Sequence, residues 1–91
     1  PQAVFAANDQ SAIGCMEAFR EAGVSVPGEV GVMGCDDIEL GRYLQPPLTT
    51  IRTNFEEQGR CAARKLVSML GGGGGGETVC LPCRLVERES V

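Results

Sequence analysis

The chain has 91 residues, of which 43% are hydrophobic and 22% charged, and it carries a formal net charge of −4. That length suits one small domain with a modest core and is too short for two. The acidic balance, with no uncompensated Lys/Arg cluster, excludes gripping DNA or an anionic membrane by bulk electrostatics. No apolar run approaches the roughly 18 residues a membrane span needs. The four aromatic residues are Phe5, Phe19, Tyr43 and Phe55, so the core is expected to be aliphatic.

Residues 2–7 are an apolar, strand-like run that starts abruptly, as if the chain were part of a longer protein. Asn8 and Asp9 then offer good caps for a helix. Ala12, Ile13, Met16, Phe19 and Ala22 recur at three- and four-residue steps, which predicts a helix over about 10–22. Gly23 suits the left-handed position just past its end. Pro27-Gly28 marks a turn, and Val30 to Gly34 reads as a second strand. Strand, helix, strand with short links is a βαβ unit, whose strands should run parallel.

Asp36 and Asp37 follow that strand directly. Read as extended, they point in different directions, and Asp37 suits a cap for the helical turn expected over 38–44. Pro46-Pro47 ends that turn, and the β-branched run Leu48 to Arg52 predicts a third strand. Asn54 caps a second helix, about 55–70. Its apolar side is Phe55, Gly59, Ala62, Ala63, Leu66, Val67 and Leu70, and Glu56, Glu57, Arg60 and Arg64 form a self-paired solvated face. Gly71 to Gly76 reads as a flexible loop, without the GK[ST] spacing of a phosphate cradle. Residues 78–87 are expected to be mostly extended, and 87–90 to be a polar tail.

The sequence offers little to catalysis. It has no histidine, so the common nucleophile–base pairs are missing, and no residue is assigned a catalytic role. Five scattered cysteines fit reduced intracellular thiols better than a disulfide framework. Cys80 and Cys83 form a CxxC, but a zinc site would want a second pair or histidines, so no metal site and no cofactor are expected. Binding is better supported. Asn8 and Asp36 each follow a predicted parallel strand, at the sheet rim where α/β proteins hold ligands. A carboxylate can accept from two vicinal hydroxyls, and an amide both donates and accepts. Phe55 could lay an apolar face beside a small polar ring. Asn8 and Asp9 fit equally as helix caps, and Phe55 as core.

Several motifs then occur in order. Ala3-Val4-Phe5-Ala6-Ala7-Asn8-Asp9-Gln10 with Ala12-Ile13-Gly14, Val32-Met33-Gly34-Cys35-Asp36-Asp37, Pro46-Pro47-Leu48-Thr49-Thr50-Ile51-Arg52 and Leu85-Val86-Glu87-Arg88-Glu89-Ser90 resemble the LacI/GalR family of bacterial transcriptional regulators. The resemblance covers nearly the whole chain. It implies an α/β fold: part of a periplasmic-binding-protein-like (Rossmann-like) domain with mostly parallel strands and flanking helices. It implies a C-terminal part of the effector-binding domain over 1–91. Residues 1–52 would belong to the C-terminal lobe, 53–77 to a crossover helix of the N-terminal lobe with the Gly-rich loop, and 78–91 to a return strand.

The function it implies is effector binding and dimerisation in a cytoplasmic, non-enzymatic repressor. The effector would be a sugar or related small molecule, met by Asn8, Asp36, Thr53 and Phe55. Residues near Gln10 and Leu40 to Leu44 would lie near the dimer surface. Operator DNA would be reached only through a headpiece outside this chain. Cys35 departs from the aromatic residue the family commonly has there. The alternatives are a sugar-binding protein of an ABC transporter, which shares the fold, and a thiol redox or zinc module on Cys80 and Cys83.

Overall fold

A computed structural model describes residues 2–74 and 76–91. The described elements run β1 (Ala3–Phe5), α1 (Asp9–Glu21), β2 (Gly31–Met33), a 3-10 helix (Glu39–Tyr43), β3 (Thr50–Thr53), α2 (Phe55–Leu70) and β4 (Cys83–Val86). They divide into two units, Pro1–Thr53 with Arg84–Val91, and Asn54–Cys83.

In the first unit β2 lies at the centre. It pairs in parallel with β1, Val4 opposite Val32, as the βαβ pattern requires. Past the end of β1, the Ala6 N–H donates to the Met33 carbonyl at 2.8 Å. On the other side Met33 bridges Thr49 in parallel, and the Gly34 N–H donates to the Thr49 carbonyl at 2.9 Å. The regular strands are shorter than their apolar runs, because beyond them pairing continues only as single bonds such as these. β3 neighbours β4 in a second two-stranded sheet.

The expectation of a polar tail over 87–90 is corrected. Ser90 is fully buried. Its hydroxyl donates to the Val32 carbonyl at 2.6 Å and accepts the Thr49 N–H at 2.8 Å. Its carbonyl takes the Val32 N–H at 2.7 Å. Buried backbone groups must find partners, and one serine supplies three of them.

The core is small and aliphatic: Ala6, Ala12, Val32 and Leu48, flanked by Met16, Phe19, Val26 and Leu44. Fully burying a side chain such as Leu48 or Val32 contributes about 1.5–3 kcal/mol each. Helix α1 presents Ala12 to this core because Asn8 sets where it starts. Asn8 is extended (φ −153°), and its side-chain oxygen accepts the Ser11 N–H at 2.8 Å. At the other end Gly23 is left-handed (φ 73°). Its N–H reaches the Arg20 carbonyl while that of Val24 reaches Phe19, a Schellman stop.

In the second unit α2 has the bounds the periodicity predicts. The Asn54 side chain accepts the Glu57 N–H at 3.0 Å, and Glu56–Arg60 pairs at 2.8 Å on the polar face. No residue of α2 is buried. The glycine run is not structureless where it is described, although Gly75 lies outside the described residues. Gly72 is left-handed (φ 84°), its N–H donates to Met69 O and that of Gly73 to Ser68 O, a second Schellman stop.

Candidate functional site

The carboxyl ends of β1 and β2 meet where the Asp9 N–H donates to the Cys35 carbonyl at 2.8 Å. Asn8 and Asp36 flank this bond in sequence, so the structure brings their backbones to one rim. The Asn8 side-chain oxygen is committed to the helix cap; its nitrogen has no partner among the described residues. Thr53 ends β3 in the same unit and is partly buried. Phe55 is 53% exposed and opens α2 in the second unit, so it is not core.

Asp9 is the residue the sequence reading undervalued. An acid next to a helix cap usually faces water, yet Asp9 is fully buried. Its Oδ1 accepts the Thr50 hydroxyl at 2.6 Å, and its Oδ2 accepts the Ile38 N–H at 2.8 Å. A Cβ on Gly34 would collide with Asp9 Oδ1 and its backbone, so glycine is needed there for close approach. Asp9 thus ties the start of α1 to the segment after β2 and to β3.

Asp37 does not cap the following turn. The residue at that cap is Ile38, with no side-chain hydrogen bond. The Asp37 side chain is 3% exposed and is held by two arginines. Arg88 Nη2 donates to its Oδ1 at 2.8 Å and Arg52 Nε to its Oδ2 at 2.6 Å. Arg88 also donates from Nη1 to the Leu48 carbonyl at 2.8 Å. A buried acid needs such partners. Burial alone pushes the Asp37 carboxyl up; the bonds and charges of Arg88 and Arg52 outweigh it and hold it below the usual carboxylate range.

Asp36 and Asp37 are not extended either: φ is 117° and 56°. Such backbone costs about 1–3 kcal/mol per non-glycine residue and persists only where its surroundings hold it. Here three consecutive amides are held. The N–H of Asp36 donates to Ile51 O at 2.8 Å, that of Asp37 to Thr50 Oγ1 at 3.3 Å, and that of Ile38 to Asp9. The Asp36 carboxyl has no partner among the described residues. The rim therefore presents one unpaired carboxyl on a fastened turn, beside an amide with a spare donor.

Arg88 and Ser90 carried one signal in the sequence, their place in the stretch that resembles the family's closing motif. Thr50 carried the same kind of signal, its place in the run Pro46 to Arg52 that resembles the family, besides its β-branched strand context. Cys80 and Cys83 are exposed, and no group of three or more His, Cys, Asp or Glu among the described residues could hold a metal ion. No helix among them is long and apolar enough to cross a membrane. Away from the rim, α1 and the segment 44–46 line a shallow groove of about 250 Å³, with Ile13, Met16, Val24, Val26 and Leu44 as its apolar part.

This arrangement of parallel strand ends and a polar rim belongs to a class of binding domains, and residues 1–91 match the family described as periplasmic binding protein-like domain. The chain is 41% identical over 91 residues to the lactose operon repressor of Rhizobium radiobacter, covering all of this chain and 80% of that one. It is 45% identical over 67 residues to the ribose operon repressor of Escherichia coli (strain K12), covering 74% of this chain and 20% of the relative. A solved transcriptional regulator CelR–cellobiose complex superposes with a TM-score of 0.90 at 34% identity, over 99% of this chain and 28% of that one. The chain belongs to the LacI/GalR family of transcriptional regulators and falls within its periplasmic-binding-protein-like effector-binding domain. It spans only about a fifth of the ribose repressor's length.

Proposed function

We propose that the chain is the effector-sensing part of a sugar-responsive transcriptional repressor. The observation that carries this reading is the Asp36 carboxyl, without a partner among the described residues, on a fastened turn at the carboxyl ends of parallel strands, the place where open α/β sheets hold ligands. Asp36 accepts from sugar hydroxyls, and the spare amide hydrogens of Asn8 donate to a sugar oxygen. Thr53 and Phe55 are further contacts carried over from the family resemblance. The same resemblance supports assigning 1–52 to one lobe, 53–77 to a crossover and 78–91 to the return.

The protein binds its effector without transforming it, and it works in the cytoplasm on operator DNA through a headpiece outside this chain. Two copies associate through the α1 face with Leu40, Tyr43 and Leu44; Leu40 and Tyr43 are 55% and 74% exposed. The relatives favour this reading over an ABC-transporter binding protein, since they are repressors of lactose and ribose operons.

The test uses the complete receptor that carries this segment. Ribose, lactose and cellobiose are titrated against it on operator DNA. Asp36→Ala should abolish the sugar response while leaving operator affinity and thermal unfolding close to wild type. Two charge-assisted hydrogen bonds lost at about 1.5–3 kcal/mol each amount to roughly a hundredfold or more in Kd. An unchanged response in the variant overturns Asp36 as the contact.

A further inference from the structure

Asp36 and Asp37 have adjacent but opposite fates. One carboxyl has no partner among the described residues, and the other is buried between two arginines. Aspartate tolerates positive φ, but two such residues in succession persist only where their surroundings hold them. The structure shows the source. Arg52 comes from β3, and Arg88 comes from 51 residues further along the chain. Arg88 spans two sites with one guanidinium, since Nη2 holds Asp37 while Nη1 holds the Leu48 carbonyl. That fork anchors the turn to the segment leading into β3. With the backbone amides of 36, 37 and 38 bonded and the side chain of 37 clamped, Asp36 has only its own side-chain torsions left to order.

We propose that Arg88 and Arg52, acting through Asp37, are positioning residues that preorganise the Asp36 carboxyl for its ligand. The proposal rests on the effector-binding reading above. A carboxyl already fixed in its bound direction loses little freedom on binding, so affinity depends on groups that never touch the ligand. A clamp that only stabilised the fold would affect thermal unfolding and leave affinity alone. Lysine at 88 keeps the charge but cannot hold Asp37 and Leu48 together in fork geometry.

The experiment first asks, by thermal shift on the complete receptor, which of ribose, lactose and cellobiose raises its stability. No shift with any of them overturns the effector reading itself, before any variant is made. With the sugar that shifts it, Kd is measured by calorimetry for Asp37→Asn, Arg88→Met, Arg88→Lys and Phe19→Ala. Phe19 packs against the core from the far end of α1, and its backbone carbonyl bonds Val24, so Phe19→Ala lowers Tm without removing a bond of the clamp. Asp37→Asn and Arg88→Met should weaken binding about tenfold, the order of one charge-assisted hydrogen bond. Arg88→Lys should fall between them and wild type, and Phe19→Ala should keep wild-type Kd. Kd unchanged in Asp37→Asn and Arg88→Met overturns the proposal, as does Phe19→Ala weakening binding to the same degree. If the clamp variants at 37 and 88 do not fold, Arg52→Lys, at the more exposed end of the clamp, decides by the same Kd comparison.

Discussion

Thr50→Val removes one hydroxyl of the buried junction while keeping the side chain's shape. The Thr50 hydroxyl donates to Asp9 Oδ1 at 2.6 Å and receives the Asp37 N–H at 3.3 Å. Both Thr50 and Asp9 are fully buried, so water cannot take the hydroxyl's place without opening the junction. Leaving a buried acceptor unsatisfied costs about 1–3 kcal/mol. The longer bond from Asp37 adds little, and the new methyl group recovers a fraction of the loss. The net destabilisation should be about 2 kcal/mol. With a urea slope of about 2 kcal/mol per molar, the unfolding midpoint falls by about 1 M with the slope unchanged. The assay is urea denaturation followed by circular dichroism, with Thr78→Val, at an exposed position, as the control expected to stay within about 0.5 kcal/mol. A Thr50→Val midpoint matching the control would refute the account of Asp9 as a tightly satisfied buried group.

Two further outcomes follow from the same junction. Gly34→Ala places a Cβ against Asp9 Oδ1 and the Asp9 backbone. Neither can retreat without breaking the bonds to Thr50 and Ile38, so stability should fall by about 3 kcal/mol, with Tm and soluble expression falling alongside; a variant with wild-type Tm would contradict the close approach. Asp37 gives an acid limb. Its folded-state pKa is lowered, so its contribution is fully present above the unfolded value of about 3.9 and is lost as pH falls through the folded value. Stability measured below about pH 4 should therefore decline more steeply in wild type than in Asp37→Asn. Parallel acid limbs would remove Asp37 as a contributor.

The legible parts of the fold were those written locally. Asn8, Gly23 and Asn54 announce helix ends by side-chain chemistry and φ preference, and the α2 bounds follow from a 3.6-residue period and its cap. The strand–helix–strand order predicts the parallel pairing that Val4 and Val32 make. What stayed hidden joins distant positions. Asp9 and Thr50 are 41 residues apart, Asp37 and Arg88 are 51, and Val32 and Ser90 are 58. No local rule tells an acid that caps a turn from one that waits for an arginine half a chain away. The left-handed backbone at Asp36 and Asp37 is of the same kind. Aspartate tolerates it, but only the surrounding bonds select it. At the glycine run the composition announces the loop but not the specific helix stop made at Gly71 to Gly73.

The long reach of Arg88 also sets an order of events in the living cell. A ribosome delivers residues at about 5–20 per second, so the partner that secures Asp37 is added roughly 3–10 s after the turn itself. Until then the acid between Asp36 and Ile38 has only Arg52 of its two counter-charges. The turn after β2 thus takes its final form only once the stretch carrying Arg88 has been made.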